Sequence, residues 1–397
     1  MIQIDHRENC CGCHACVSAC PKKCITMKED NEGFLYPCID MAQCVSCGRC
    51  EKVCPILNRK NTNSNVMKIG YAAYQNDLQV REQSSSGGIF SLLAEWILAK
   101  NGVVVGAEMA DDCSSVHHRI IQSVDELPAL RGSKYVQSTI GDVFIETKKA
   151  LESGKPVLFT GTPCQIGGLY GFLGRDYPML YTQDVICHGV PSPAVWKKYV
   201  EYREKTDGDS AQKISFRCKK NGWTKYLVLF QYANHTEYQR EYPDDPYMKG
   251  FLRNIYLRPS CYACAFKSKQ RQSDMTLADF WGIQHVLPEM DDDRGTSFVW
   301  IHSEKGREMF DAVHDKMTVR EVDPEQAIQY NLSAVQSSAP FSRRSNFFEE
   351  LTSDNFDKVI AKYTKTPFSR RIRSICGRIF RRYINFNDKF KKNNSNK

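Results

Sequence analysis

No stretch of this chain stays apolar for the roughly eighteen residues that a membrane-spanning helix needs. The longest apolar region, GGIFSLLAEWILAK, is too short and contains Glu95. The opening residues, MIQIDHRENC, lack the basic flank and apolar run of a secretory signal. An excess of charge of either sign is also missing from most of the sequence. The formal net charge is +8 over 397 residues, but residues 366–397 hold ten Lys/Arg against Asp388 alone. That segment is therefore +9, which leaves the other 365 residues at −1. A near-neutral body argues against nucleic acid as a partner. A length of 397 residues, 42% of them hydrophobic and 25% charged, suits a globular protein of two or three domains. The expected location is cytoplasmic.

Cysteine is abundant. There are eighteen, and eleven fall within residues 10–54 at regular spacing. In an otherwise ordinary chain this favours metal ligation over disulfides. Cys10-x2-Cys13-x2-Cys16-x3-Cys20-Pro21 is followed by Cys44-x2-Cys47-x2-Cys50-x3-Cys54-Pro55. Each run fits the bacterial two-cluster ferredoxin pattern, in which the fourth cysteine serves the other cluster. The expected ligand sets are Cys10, Cys13, Cys16 and Cys54 for one 4Fe-4S cluster, and Cys20, Cys44, Cys47 and Cys50 for the second. Two zinc sites would leave the third cysteine of each run and the proline without a role. Cys11, Cys24 and Cys38 fit neither run and read as small packed hydrophobes.

Beyond a polar linker at 58–66, Ser86 is the expected N-cap of a helix striped by Ile89, Leu92, Leu93, Trp96 and Ile97. Ser86, Gly87 and Gly88 leave main-chain N–H groups at a helix start, a place for an anion. Lys134 and Tyr135 lie beside a glycine turn. Strands are expected at 156–160 and 180–186, with a helix from about Pro163 between them, the pattern of a parallel sheet. Loops after successive parallel strands share one sheet edge, where ligands bind. Cys164 and Cys187 should meet there. The run DDPYMKGFLRNIYLRPSC reads as a helix leading into Cys261-x2-Cys264. Four thiols, Cys164, Cys187, Cys261 and Cys264, thus suggest a third 4Fe-4S site, with structural zinc as the competitor and a redox dithiol as a weaker one.

The motifs SSGGIFSLL, GSKYVQS, FTGTPCQIGGL, CHGVPSP and CYACAFKSKQRQSDMTLADFWG, behind a ferredoxin pair, resemble the family of coenzyme F-420 hydrogenase/dehydrogenase beta subunits over about residues 1–310. The resemblance implies FAD as well as 4Fe-4S clusters. It places FAD at Ser86, Gly87, Gly88, Lys134, Tyr135, Thr160, Gly161 and Thr162, and it supports the third set of cysteines. The expected fold is mixed α+β and α/β. A two-cluster ferredoxin domain (1–60) precedes N-terminal (61–150) and C-terminal (151–320) beta-subunit domains, a helical extension (321–365) and a basic amphipathic tail (366–397).

The expected function is an FAD- and 4Fe-4S-dependent oxidoreductase that converts hydride chemistry to single electrons, with ferredoxin or another redox protein on one side and a small hydride donor or acceptor on the other. Two alternatives stay open: a flavin-free, polyferredoxin-like electron-transfer component of a larger complex, and a redox sensor without catalysis. No acid or base stands out; His188 and Asp279 read equally well as structural. The tail, with Ile372, Ile375, Ile379 and Tyr383 at helical spacing among arginines, suits an anionic membrane surface or an acidic partner. Packing on the chain's own body is the competing reading.

Overall fold

The computed structural model describes residues 1–58 and 69–365; the basic tail and part of the linker lie outside the described residues. In the ferredoxin region, strands β1 (Ile25–Glu29) and β2 (Leu35–Ile39) pair antiparallel. Short helices Ala15–Ser18 and Arg49–Lys52 each carry the third thiol of their run. His14 and Gly48 precede them in left-handed conformations (φ 62° and 70°), which fold each cysteine loop back on itself.

The body is built on one eight-stranded sheet. It contains β3 (Ile69–Gln75), β4 (Val103–Met109), β5 (Val116–Ile121), β6 (Val157–Gly161) and β7 (Leu180–Val185). A separate antiparallel sheet follows, of β8 (Ala211–Cys218), β9 (Leu227–Tyr232) and β10 (Glu237–Glu241). The chain then returns to the large sheet with β11 (Met275–Asp279), β12 (Ser297–Ile301) and β13 (Met317–Val322). The order is β13-β3-β12-β11-β7-β6-β4-β5. β4, β6, β7 and β11 run parallel, and β3 shares their direction because it and β11 are both antiparallel to β12. Both sides of the expected boundary at residue 150 contribute strands to this sheet. β3, from the first segment, lies between β12 and β13, so residues 61–150 and 151–320 close a single sheet.

Val104, Leu158 and Val299 of the sheet pack with Leu93 and Ile97 of helix Ile89–Ala99, the apolar stripe the sequence shows. That helix is capped by Gly88 (φ 82°), not Ser86. The Ser86 hydroxyl is drawn away to the Thr296 carbonyl at 2.9 Å. The helix expected to lead into Cys261 is also shorter. It spans Pro246–Leu252, and the chain turns at Asn254 (φ 61°) before a 3-10 turn at Pro259–Cys261.

Helix Pro163–Leu173 joins the body to the ferredoxin region. A side chain at Gly168 would meet Cys13 Cβ and Sγ at 2.8 and 2.9 Å, and one at Gly171 would strike the Val53 carbonyl. These two glycines explain why QIGGLYGFL is so bare: the cysteine loops seat directly on this helix.

Candidate iron–sulfur centres and the sheet edge

Three cavities gather the cysteines. One, of about 20 Å³, is lined by Cys10, Cys13, Cys16 and Cys54, with Cys11. A second, also about 20 Å³, is lined by Cys20, Cys44, Cys47 and Cys50, with Cys24. The crossing of the fourth cysteine between runs is thus seen in the lining of both cavities. N–H groups point at two of these sulfurs: Ile2 N donates to Cys50 Sγ at 3.2 Å, and the Arg258 guanidinium approaches Cys10 Sγ at 3.6 Å.

The third cavity is the largest, about 120 Å³, and Cys164, Cys187, Cys261 and Cys264 all line it. Cys164 follows β6 at the first turn of helix Pro163–Leu173, and Cys187 follows β7, the neighbouring parallel strand. Cys261 ends the 3-10 turn and accepts a hydrogen bond from Val190 N at 3.4 Å. The N–H of Cys264 is held by the Ser337 hydroxyl at 3.0 Å. Lys267 and Arg271 supply positive charge at the wall. Lys267 Nζ donates to the Cys187 and Ser333 carbonyls, and Arg271 faces buried Asp184 at 3.5 Å.

The donor chemistry fits a multinuclear centre. Among the described residues no three Cys, His, Asp or Glu side chains converge as ligands of a single ion do; the thiols surround a space instead. Burial pushes Cys16 and Cys187 up to about 12 and raises Cys54, Cys261 and Cys264. Thiols so placed resist ionising by themselves; bound cationic metal would favour their thiolate forms.

Cys11 is not the simple packing residue its position outside the motif suggests. It lines both the first and the third cavities, as do Asn9 and Ile56. Contact with Cys13 is the first cause that raises its thiol, and contact with Cys11 is the leading cause of the same shift at Cys164. Cys24 lies 3.4 Å from Cys20 in the wall of the second cavity. Cys38 sits on β2, opposite Thr26, and lines none of the three cavities.

The residues expected to hold FAD do assemble at the carboxyl edge of the sheet. Ser133 N donates to Ser85 Oγ at 2.7 Å, which joins the loop of Lys134 and Tyr135 to that of Ser86–Gly88. Most of their polar groups are already engaged. Gly87 N donates to Ser297 Oγ (3.0 Å), Thr160 Oγ1 to the Val105 carbonyl (2.8 Å) and Thr162 Oγ1 to Gln165 Oε1 (3.0 Å). Gly88 lies against Gln75, and Gly161 lies against Gln165 and His118.

Two buried lysines lie nearby. Among the described residues, Lys134 Nζ donates to the Ala129 and Arg131 carbonyls, both at 2.9 Å. Lys219 donates to the Arg81, Ser86 and Arg294 carbonyls at 2.6–2.8 Å. Loss of water lowers both lysines to about 7. Arg217 is the paired cation here, forked onto Asp279 at 2.6 and 3.1 Å and donating to Tyr135 Oη at 3.3 Å. A bound anion would favour the charged form of both amines, Lys219 on the Ser86 carbonyl and Lys134 on those of Ala129 and Arg131. Sequence reasoning missed Lys219 and Arg217, whose place depends on β8 folding over the sheet edge. It also missed Arg258, although that residue is a lone charge in an apolar run three positions before Cys261. His188 is half-buried, donates from Nε2 to Asn254 Oδ1 (2.7 Å) and is lowered by burial.

Paired cysteine runs around two cavities define an iron–sulfur electron-transfer protein, and residues 9–57 match the 4Fe-4S dicluster domain. Residues 70–144 match the N-terminal part, and residues 154–327 the C-terminal part, of the coenzyme F420 hydrogenase/dehydrogenase beta subunit. The chain belongs to that family of beta subunits; together the two parts cover more than half of it. Among curated proteins it is similar to the coenzyme F420-dependent sulfite reductase of Methanocaldococcus jannaschii, 27% identical over 165 residues, 40% of this chain and 24% of that protein. It is also similar to a component of the F(420)H(2) dehydrogenase of Methanosarcina mazei, 25% identical over 176 residues, 42% of this chain and 49% of that one. The matched segments span a quarter to a half of the relatives' length. A solved chain of the F420-reducing NiFe hydrogenase complex from Methanosarcina barkeri aligns with a TM-score of 0.47 and 17% identity, covering 69% of this chain and 93% of that chain. Among the described residues no helix is long and apolar enough to cross a membrane.

Proposed function

We propose that the chain is an iron–sulfur flavoprotein oxidoreductase with three 4Fe-4S clusters and FAD, working between a hydride-carrying small molecule and a one-electron redox protein. The observation that carries this reading is the third cavity. It touches the carboxyl edge of the sheet through Thr162 and Cys187, and it shares Asn9, Cys11 and Ile56 with the first cluster cavity. When bound, a flavin would exchange a hydride for two single electrons, and clusters would carry these one at a time.

The chain's own contribution is holding and shielding. Cys10, Cys13, Cys16 and Cys54, then Cys20, Cys44, Cys47 and Cys50, then Cys164, Cys187, Cys261 and Cys264 would hold the clusters. Ile56, Phe266 and Leu257 crowd out water near the first and third. Lys134 and Lys219 would neutralise cofactor phosphate beside Ser86–Gly88, with Tyr135 and Thr160–Thr162 completing the edge. Lys267 and Arg271 offset negative charge at the third cavity.

The names of the relatives make the deazaflavin F420 the first hydride carrier to test, against NAD(P)H. The test is anaerobic purification with flavin extraction and iron analysis, followed by reduction with each carrier while cluster absorbance is followed. FAD at about one per chain is the expected result. No flavin after reconstitution would move the assignment to a flavin-free electron-transfer component. That second reading draws on the internal hydrogen bonds that already occupy Gly87, Thr160 and Thr162.

A further inference from the structure

The ferredoxin region has an outward face that the site described above leaves unused. The second cavity reaches solvent at Cys47, an exposed thiol among its ligand set. Near it, Val45 is 58% and Met41 60% exposed. Lys22 and Arg49 line this cavity, Lys23 follows Lys22, Lys52 ends the short helix that Arg49 begins, and all four are exposed. None of the four makes a side-chain ion pair with another described residue.

Of the two acidic side chains close by in the chain, one is ion-paired and the other keeps its charge in a hydrogen-bonded turn. Asp40 accepts from Ala42 N (3.0 Å) and the Gln43 amide (2.7 Å), and Glu51 is paired with the Met1 amino group at 2.7 Å. No Asp or Glu lines the cavity itself. An apolar spot over a cluster site, ringed by free cations, has the composition of a small electron-transfer interface: brief apolar contact, with charge setting orientation and encounter rate.

We propose that this face docks a small acidic iron–sulfur carrier protein, which places the partner end of the electron path at the second cluster. The inference rests on the electron-transfer reading above and adds to it the face and the charge of the partner. In each encounter one electron leaves the reduced carrier, which is oxidised, and enters this protein, which is reduced; no bond or proton changes hands. In the reverse direction the same electron moves outward.

Binding of an acidic two-cluster ferredoxin to the full iron-loaded chain tests this, by biolayer interferometry at low and high salt. The expected result is affinity that falls as salt rises, and a loss of about tenfold at low salt in the Lys23→Glu/Lys52→Glu variant. The variant's iron content and absorbance should match wild type. A Val45→Asp variant provides a second, independent loss. Equal binding by wild type and both variants, or binding indifferent to salt, overturns the docking face. So does weakening that is the same at every salt concentration, since that reflects a change other than charge steering. A chain that takes up no iron at all would instead fail the underlying cluster reading, which separates the two.

Discussion

Replacing Arg258 with Ala should loosen the ferredoxin region from the body more than any other single truncation of a polar side chain. The guanidinium is fully buried, and it belongs to the body while two of its three hydrogen-bond partners lie in the ferredoxin region. Nε donates to the Cys10 carbonyl at 2.8 Å, Nη2 to the Leu35 carbonyl at 2.9 Å, and Nη1 to Gln137 Oε1 at 3.0 Å. The group also stacks over Tyr36, 4.4 Å from the ring centre. Hydrogen bonds from a charged donor contribute about 1.5–3 kcal/mol each, and a buried acceptor left bare costs about 1–3 kcal/mol. Three such bonds share one donor and do not add fully, so a loss of about 4 kcal/mol is expected. Arg258→Lys keeps the charge but has one nitrogen where the guanidinium's three reach separate acceptors, and should recover less than half of it. The assay is anaerobic urea unfolding of the iron-loaded chain, following cluster absorbance and tryptophan fluorescence together. Arg258→Ala should bleach the clusters at lower urea than it unfolds the body. A loss below about 1 kcal/mol, with the two signals still coincident, would refute the idea that this side chain ties the two parts together.

Other outcomes follow from the same geometry. Gly171→Ala puts a methyl group into the Val53 carbonyl and should separate helix Pro163–Leu173 from the cysteine loops, read as faster proteolysis within residues 1–58. Cys261→Ser/Cys264→Ser should lower iron from about twelve to about eight per chain, at four per cluster, and leave the ferredoxin-type signal in electron paramagnetic resonance. Iron already at about eight in wild type would remove the third cluster. Acid should destabilise the body through His118, which burial lowers from 6.5 to about 4 and which pairs with the Thr160 carbonyl at 3.1 Å. The unfolded chain takes up that proton near 6.5 while the folded chain refuses it until about 4, so stability is lost as pH falls through this window. An interval of that width corresponds to about 3 kcal/mol, and His118→Gln should flatten the pH dependence of urea midpoints between pH 7 and pH 4 by most of that amount.

The cluster sites were legible because their information is local. Spacings of two and three residues fix how a loop wraps a cube, and the expected crossing of Cys20 and Cys54 matches the lining of the two small cavities. Cys164 and Cys187 could be placed together since each follows an apolar strand, and β6 and β7 are indeed neighbours. What failed depended on distant pairings. That the segments on either side of residue 150 share one sheet was not legible, because β3 inserts between β12 and β13, more than two hundred residues away. The cap at Ser86 was lost to Thr296, a partner that only the closed sheet supplies. Cys11 looked inert because its neighbour Cys164 is brought to it by docking, which no spacing rule encodes.

The wall of the third cavity has a consequence for how this protein is made and lost. Glu8, Asn9, Cys11 and Ile56 close a space whose four thiols all come from the body. That wall forms only where the ferredoxin region seats on the body. A cluster at the third site, as proposed above, would be loaded while the space is open, before the ferredoxin region covers its thiols. Oxidative damage would run the sequence backwards. Destruction of the first centre would release Cys11 and Ile56, which line both cavities, and would widen the way of oxygen to the third.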